Sequence, residues 1–372
     1  MGRNTIPLGR ILGIPIGLDY TWFLIFGLIT WSLAASYYPH EFPGWPAGLY
    51  WVTGALTAIL LFASVLLHEL GHSVVAMRYK IPVRSITLFI FGGVAQIGAE
   101  PPSALAEFWI AVAGPAVSFA LALLFGLLRQ SLSSAGPLLA LAEYLALING
   151  MLVLFNLIPG FPLDGGRVLR AVVWGLTGSF RKATLVAAWV GRFVALLFIF
   201  DGVWEVLTGN FMNGVWIAFI GWFLDSAAAG QIHAQDAHDV LAGHRVSEAM
   251  TNQYASVPAD LSLQRLVDEH ILGSGRRCFV VERGGNLAGL LTLHRLREIP
   301  RASWGTTTSE QAMIPLENLQ VLTPDTELWR AVDEMQRDGF NQLPVMEGGR
   351  MVGMLTREDT LHFLRNLSEF GR

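Results

Sequence analysis

The sequence predicts a multi-span α-helical membrane protein with about six transmembrane helices and a re-entrant β-hairpin, followed by a soluble α/β domain. Three observations carry that expectation. Charge is unevenly divided: residues 1–230 hold 11 Lys/Arg and 10 Asp/Glu, whereas residues 231–372 hold 14 and 19. A soluble surface the size of the first part would carry far more charge, while the second has the density of an ordinary globular domain. Six apolar segments reach the roughly 20 residues needed to cross the hydrocarbon core, in a chain that is 53% hydrophobic with a mean hydropathy of +0.47. Finally, the charged tail repeats itself at a fixed offset.

The six segments are 15–37, 50–77, 105–128, 137–157, 184–207 and 212–229. With the N-terminus inside, the outer loops 38–49, 129–136 and 208–211 hold one basic residue, Arg129. The inner side holds Arg3, Arg10, Arg78, Lys80, Arg84, Arg167, Arg170, Arg181 and Lys182. By the positive-inside rule the protein is integral and multi-pass, with its N-terminus and tail in the cytoplasm, at the cell membrane if the cell is prokaryotic. No small-residue cleavage site follows the first apolar stretch, so it reads as a retained span. A net charge of −4 without a basic stripe excludes a nucleic-acid partner.

Two inner loops break the helical pattern. Ser85–Ile97 (SITLFIFGGVAQI) places β-branched and aromatic residues on both sides of Gly92-Gly93, the pattern of a hairpin turning at the glycines. It is too short to cross and too apolar for water, so it is expected to dip into the membrane. After the fourth segment, Asn156–Gly166 (NLIPGFPLDGG) must break the helix at its prolines and glycines. These features give a membrane domain over 1–230, a polar linker over 231–244 and a tail over 245–372.

In the tail, Cys278–Thr292 (CFVVERGGNLAGLLT) aligns with Gln342–Thr356 (QLPVMEGGRMVGMLT) at an offset of 64, and Ser247–Met250 matches Glu310–Met313. Each repeat, 245–303 and 304–372, is small for a core of its own, so the two are expected to pack as one domain. Cys278 is the sole cysteine. That excludes a disulfide within the chain and a thiolate zinc site. Its flanks, Arg277 and Phe279–Val281, read as a buried strand. His233, His238 and His244 in the linker read as solvated.

Within the second segment stands His68-Glu69-Leu70-Gly71-His72. Positions 68 and 72 are one helical turn apart, so both imidazoles can face one metal ion, and Glu69 is placed to act on the attacking water as general base. An ionisable residue in a span costs about 2.5–3.5 kcal/mol on insertion scales, which makes such residues functional candidates. A catalytic zinc needs three protein ligands and an open position. Asp164, after the helix break, is the natural third. Asp19, Glu107, Glu143, Asp201, Glu205 and Asp225 lie near segment ends and read as interfacial. Arg192 lies inside the fifth segment, where it either snorkels or pairs with a carboxylate.

The HELGH sequence in a membrane helix, with NLIPGFPLDGG further on, resembles the site-2 protease family of intramembrane zinc metalloproteases over residues 10–230. The resemblance implies one zinc ion per chain on His68, His72 and Asp164, with Glu69 as base. It implies that Asn156 hydrogen-bonds substrate or helps stabilise the oxyanion. It also implies that the hairpin residues Phe91, Gly92, Gly93 and Val94 hold an unwound, membrane-anchored protein substrate by strand addition. Relatives often have Asn where this chain has Ser118, which argues against a polar role there.

The tail resembles a pair of cystathionine-β-synthase (CBS) modules, which implies an adenosine nucleotide held by a Thr followed three residues later by Asp. Thr356 and Asp359 match; in the first repeat Thr292 is followed by Arg295, which cannot accept from a ribose hydroxyl. Paired modules of this kind imply a homodimer. The resemblances together predict regulated intramembrane proteolysis in the lipid bilayer. The alternative is a transporter or channel gated by the tail, which would spread polar residues over several spans.

Overall fold

The computed structural model describes residues 5–132, 136–271, 276, 278–338 and 340–370. Arg3, Arg277 and part of the 129–136 loop lie outside the described residues. The chain forms two compact units that divide after Gln235.

Among the described residues of the first unit, six helices are long and apolar enough to cross a membrane. They are part of a run of seven: α1 (Thr21–Glu41), α2 (Ala47–Arg78), α3 (Ala104–Ser131), α4 (Pro137–Asn156), α5 (Asp164–Thr177), α6 (Phe180–Leu207) and α7 (Phe211–Leu241). The protein is therefore an integral membrane protein. The exception in the run is α5, a 14-residue helix in what reads from sequence as an inner loop. The helix α7 continues through 231–241, where the sequence reading places a polar linker, so that segment is helical.

Local signals fix the helix ends. The Asp19 carboxylate, just ahead of α1, accepts from the Thr21 backbone N–H at 2.9 Å and from its hydroxyl at 2.7 Å. Ser103 caps α3 by accepting from the Ala106 N–H, and Pro137 occupies the first turn of α4, where its missing N–H costs nothing. Small residues let the helices approach. A Cβ at Gly71 of α2 would lie 2.9 Å from the Ala113 carbonyl oxygen of α3, and one at Gly202 of α6 would lie 2.6 Å from the Gly214 carbonyl oxygen of α7. Arg192 pairs with Asp225 at 2.8 Å across α6 and α7, with its guanidinium over the Trp189 ring. The pairing alternative read from the sequence is the one realised.

The first unit also holds a four-stranded sheet, in the order β1 (Thr5–Ile11), β2 (Ile14–Asp19), β3 (Val83–Phe89), β4 (Gly92–Ile97). The first apolar segment therefore begins as a strand, and α1 starts only at Thr21. Leu12 and Gly13 both take positive φ (53° and 82°), the two-residue turn whose twist matches an antiparallel hairpin. Strands β2 and β3 run parallel, Ile16 opposite Ile86, and β3 and β4 antiparallel. The hairpin turn is Ile90-Phe91, not Gly92-Gly93: both glycines belong to β4, opposite Phe89 and Leu88. Ile14, Ile16 and Ile86 bury against Leu70 of α2, seating the sheet on the histidine-bearing helix.

In the second unit, β5 (Ser256–Pro258), β6 (Cys278–Arg283), β7 (Asn286–Thr292) and β8 (Ile314–Pro315) form one sheet, and β9 (Gln342–Glu347) and β10 (Arg350–Thr356) another. The repeats exchange their leading helices. Val246 and Ala249 bury in the core of the second repeat, with Leu328, Leu343 and Leu355. Ala312 buries in that of the first, with Phe279 and Leu291. The exchange is symmetric to the atom: the Met313 sulfur lies over Gly289 and the Met250 sulfur over Gly353, each 2.8 Å from where a Cβ would be. Val280, Leu290 and Met354 share a further cluster between the repeats. A cut between residues 303 and 304 thus separates each core from one of its own helices.

Cys278 opens β6, half-buried, and burial pushes its thiol up to about 12. A raised thiol pKa keeps the group protonated until the pH rises through that value. At pH 8 the thiolate fraction is on the order of one in ten thousand, against roughly a quarter for an ordinary cysteine. Maleimide labelling of the folded protein at pH 8, followed by intact mass, is expected to be about a thousandfold slower than after unfolding in SDS.

Candidate metal centre and active site

Helix α2 has no Pro within its 32 residues, so its i, i+4 geometry carries His68 and His72 on one buried face. Their rings meet edge to face with centroids 4.8 Å apart. The Nε2 atoms are 3.1 Å apart. Asp164 arrives from the other side as the first residue of α5, its Oδ2 3.0 Å from His68 Nε2 and 3.1 Å from His72 Nε2. Among the described residues, this is the one group of three or more His, Cys, Asp or Glu side chains with metal-ligand geometry.

The donor set fits zinc. His72 Nδ1 donates to the Ile110 carbonyl oxygen at 2.6 Å, and a carbonyl can only accept, so the proton sits on Nδ1 and the Nε2 lone pair faces inward. His68 Nδ1 is held by the Ser118 hydroxyl at 2.9 Å, which likewise turns its Nε2 inward. Two imidazole lone pairs and a carboxylate oxygen then converge within about 3 Å, an arrangement that is repulsive without a cation. Two His nitrogens and one carboxylate oxygen are the ligand types of a catalytic zinc site with a fourth position open.

Helix α3 builds the wall of this centre along one stripe. Ile110 and Ser118 orient the two histidines, and Gly114 between them leaves the space: a Cβ there would collide with His72 Nε2 and lie 2.6 Å from His68 Nε2. Ser118 is thus fully buried and polar in role, a correction to the reading that discounted it. Glu107, in the first turn of α3, is fully buried, and its Oε1 accepts from Arg170 Nε of α5 at 2.6 Å.

Glu69, half-buried, lies on α2 beside His68 and faces β4. A Cβ at Gly93 would lie 2.6 Å from Glu69 Cγ, so only glycine lets the strand pass this close. The Ala95 backbone N–H donates to the Glu69 carboxylate. At the hairpin tip Phe91 stacks on Phe223 of α7 at 4.5 Å, and Val94 is exposed on β4. Asn156 is the last residue of α4, half-buried. The connection from Asn156 to Asp164 folds tightly over α5: a Cβ at Gly165 would fall on the backbone of Leu157 and Ile158, and one at Gly166 on Gly160 and Phe161. The two glycines after the aspartate therefore set the depth at which Asp164 enters the centre.

In the second unit, Thr356 and Asp359 engage each other at the start of a helix (Arg357–Phe370). Asp359 Oδ2 accepts from the Thr356 hydroxyl at 2.6 Å and its backbone N–H at 3.1 Å. Thr292 caps the helix Leu293–Arg297, and Arg295 turns away to Glu298 at 2.7 Å.

Comparison with known proteins matches this arrangement. The sequence profile of peptidase family M50 fits residues 56–134 and 126–200, and that of the CBS domain fits 246–301 and 311–366. The chain is 38% identical to the zinc metalloprotease Rip3 of Mycobacterium tuberculosis over 97% of its length and 93% of that protein's. It is 33% identical to a zinc metalloprotease of Synechocystis sp., over 98% of this chain and 96% of that one. It is 29% identical to a zinc metalloprotease of Methanocaldococcus jannaschii, over 96% of this chain and 95% of that one. A metal-ligand cluster on a membrane-length helix and the short helix α5, a family profile that spans it and relatives matched nearly end to end agree: this chain belongs to peptidase family M50, the site-2 protease type of zinc metalloprotease, and carries a pair of CBS domains.

Proposed function

We propose that the protein cleaves the transmembrane helices of membrane-anchored proteins, as an intramembrane zinc metallopeptidase in regulated proteolysis. The observation that carries the reading is the convergence of His68, His72 and Asp164 from separate elements, with Glu69 one residue from the first ligand. In this reading His68 and His72 Nε2 and Asp164 Oδ2 hold one zinc ion per chain. The N-terminus and the CBS tail face the cytoplasm, supported by the basic residues gathered on that side of the spans. An adenosine nucleotide binds the tail at Thr356 and Asp359 and modulates cleavage, with Thr292 the corresponding group of the first repeat, and the protein works as a homodimer.

The bound ion supplies Lewis acidity, polarising a carbonyl and making water nucleophilic near neutral pH. Glu69 takes the proton from the attacking water and returns it to the leaving amine. Its neighbours on β4 fit that task, since the Ala95 N–H steadies the carboxylate and Gly93 keeps the strand within reach. A substrate helix hides each peptide bond in its own turn, so it must unwind. Among the described residues β4 pairs only with β3, which leaves an edge for substrate to add as a strand along Phe91, Gly92, Gly93 and Val94. Asn156 then hydrogen-bonds the substrate backbone or its developing oxyanion.

Co-expression with candidate single-span membrane proteins tests this directly. Glu69→Gln is expected to lower processing by a factor of about 10²–10⁴, and equal processing by wild type and variant contradicts the reading. Replacing Val94 by Pro disrupts β4, the strand that carries the substrate in this reading, and is expected to raise KM while zinc content stays unchanged. Asp359→Ala is expected to abolish binding of a fluorescent ATP analogue to the full chain, whereas Thr292→Ala leaves it within about twofold.

A further inference from the structure

Beyond the three ligands and Glu69, a buried ion pair lies where α3 meets α5. Glu107, in the first turn of α3, is fully buried. Its Oε1 takes Arg170 Nε at 2.6 Å, with Arg170 Nη2 on the same oxygen. Among the described residues its Oε2 has no hydrogen-bond partner. The Arg170 guanidinium sits between two rings, 4.9 Å from the centroid of Phe161 and 4.6 Å from that of Phe180. Phe161 belongs to the connection that ends at Asp164, and Phe180 is the first residue of α6. Arg170 therefore ties four elements together: α3, the connection, α5 and α6.

A buried ion pair is weak as a stabiliser, because desolvation offsets the attraction. In a membrane protein such a pair is by default functional. Its place on α3 says what it does. Glu107, Ile110, Gly114 and Ser118 follow one another at spacings of three and four, so they share a face. Ile110 orients His72, Ser118 orients His68, and Gly114 makes room for both Nε2 atoms. Glu107 is the fourth member of the stripe, and its carboxylate bonds to Arg170 on the helix of the third ligand. Arg170 lies six residues along α5 from Asp164, about 9 Å of helix rise. Metal ligands must hold position to about 0.2 Å.

We propose that Glu107 and Arg170 are positioning residues for the third zinc ligand: their ion pair registers α5 against α3, so that Asp164 meets the two histidines that the same face of α3 orients. One helix face then sets all three ligands, two directly and the third through Arg170. The inference rests on the zinc-ligand reading of His68, His72 and Asp164.

The test uses the full-length protein in detergent, with Glu107→Gln and the double variant Glu107→Gln/Arg170→Met, which leaves no unpaired buried cation. Zinc affinity is read by competition with a chromophoric chelator, ligand geometry by the visible bands of the cobalt(II)-substituted protein, and folding by thermal melting. Glu107→Gln is expected to bind zinc 10–100-fold more weakly, the range for loss of an outer-sphere partner, and to shift the cobalt bands. The double variant is expected to regain melting temperature without regaining zinc affinity or the wild-type bands. A folded double variant with wild-type zinc affinity and cobalt spectrum overturns the proposal, and so does lost stability with unchanged metal binding. Wild-type protein that takes up no stoichiometric zinc would instead sink the ligand reading beneath it.

Discussion

Three lone-pair donors held within about 3 Å of one another, on buried side chains of membrane-spanning and adjoining helices, are the constraint on which the rest of this structure depends. His68 Nε2, His72 Nε2 and Asp164 Oδ2 repel each other unless a cation joins them, and burial strengthens both the repulsion and the compensation. The chain meets that constraint by orienting each donor from outside. The Ile110 carbonyl and the Ser118 hydroxyl fix the imidazoles. Glycines at 114, 165 and 166 let helix backbones come close enough for the donors to converge.

The same economy of space brings Glu69 and the sheet together. Glu69 shares α2 with the histidines, and the sheet is seated on that helix through Leu70. The passage of β4 beside Glu69 depends on Gly93 having no side chain. In the proposed reading, a strand edge beside Glu69 is what hydrolysis of an unwound peptide requires. The hairpin tip is tied in turn to α7 through Phe91 and Phe223. In the tail, the exchange of leading helices makes the two repeats one cooperative body.

What the sequence made legible follows from how local each feature is. The histidine pair and Glu69 sit within five residues of one helix, so spacing alone places them. Asp164 was readable because prolines and glycines announce a helix break ahead of it. The strands over 5–19 were not: Ile14, Ile16 and Leu18 alternate, yet the same apolar letters satisfy a span, and only the Leu12-Gly13 turn argued otherwise. Helix α5 was hidden by Gly165, Gly166 and two arginines, which read as loop until their partners are known. Ser118, Glu107 and Arg170 were beyond reach, because each takes its role from a contact on another helix. The hairpin turn slid by two residues because Gly93 serves closeness to Glu69, while Gly92, at a φ of 126°, leads out of the turn into β4.

The central claim is that one zinc ion joins two imidazoles and a carboxylate at this centre. Zinc K-edge X-ray absorption on the purified full-length protein tests it most directly. The account predicts one zinc per chain with a first shell of nitrogen and oxygen at about 2.0–2.2 Å, and outer scattering from two imidazole rings. A sulfur shell, scattering from a different number of imidazoles, or an unchanged spectrum in Asp164→Ala would contradict it.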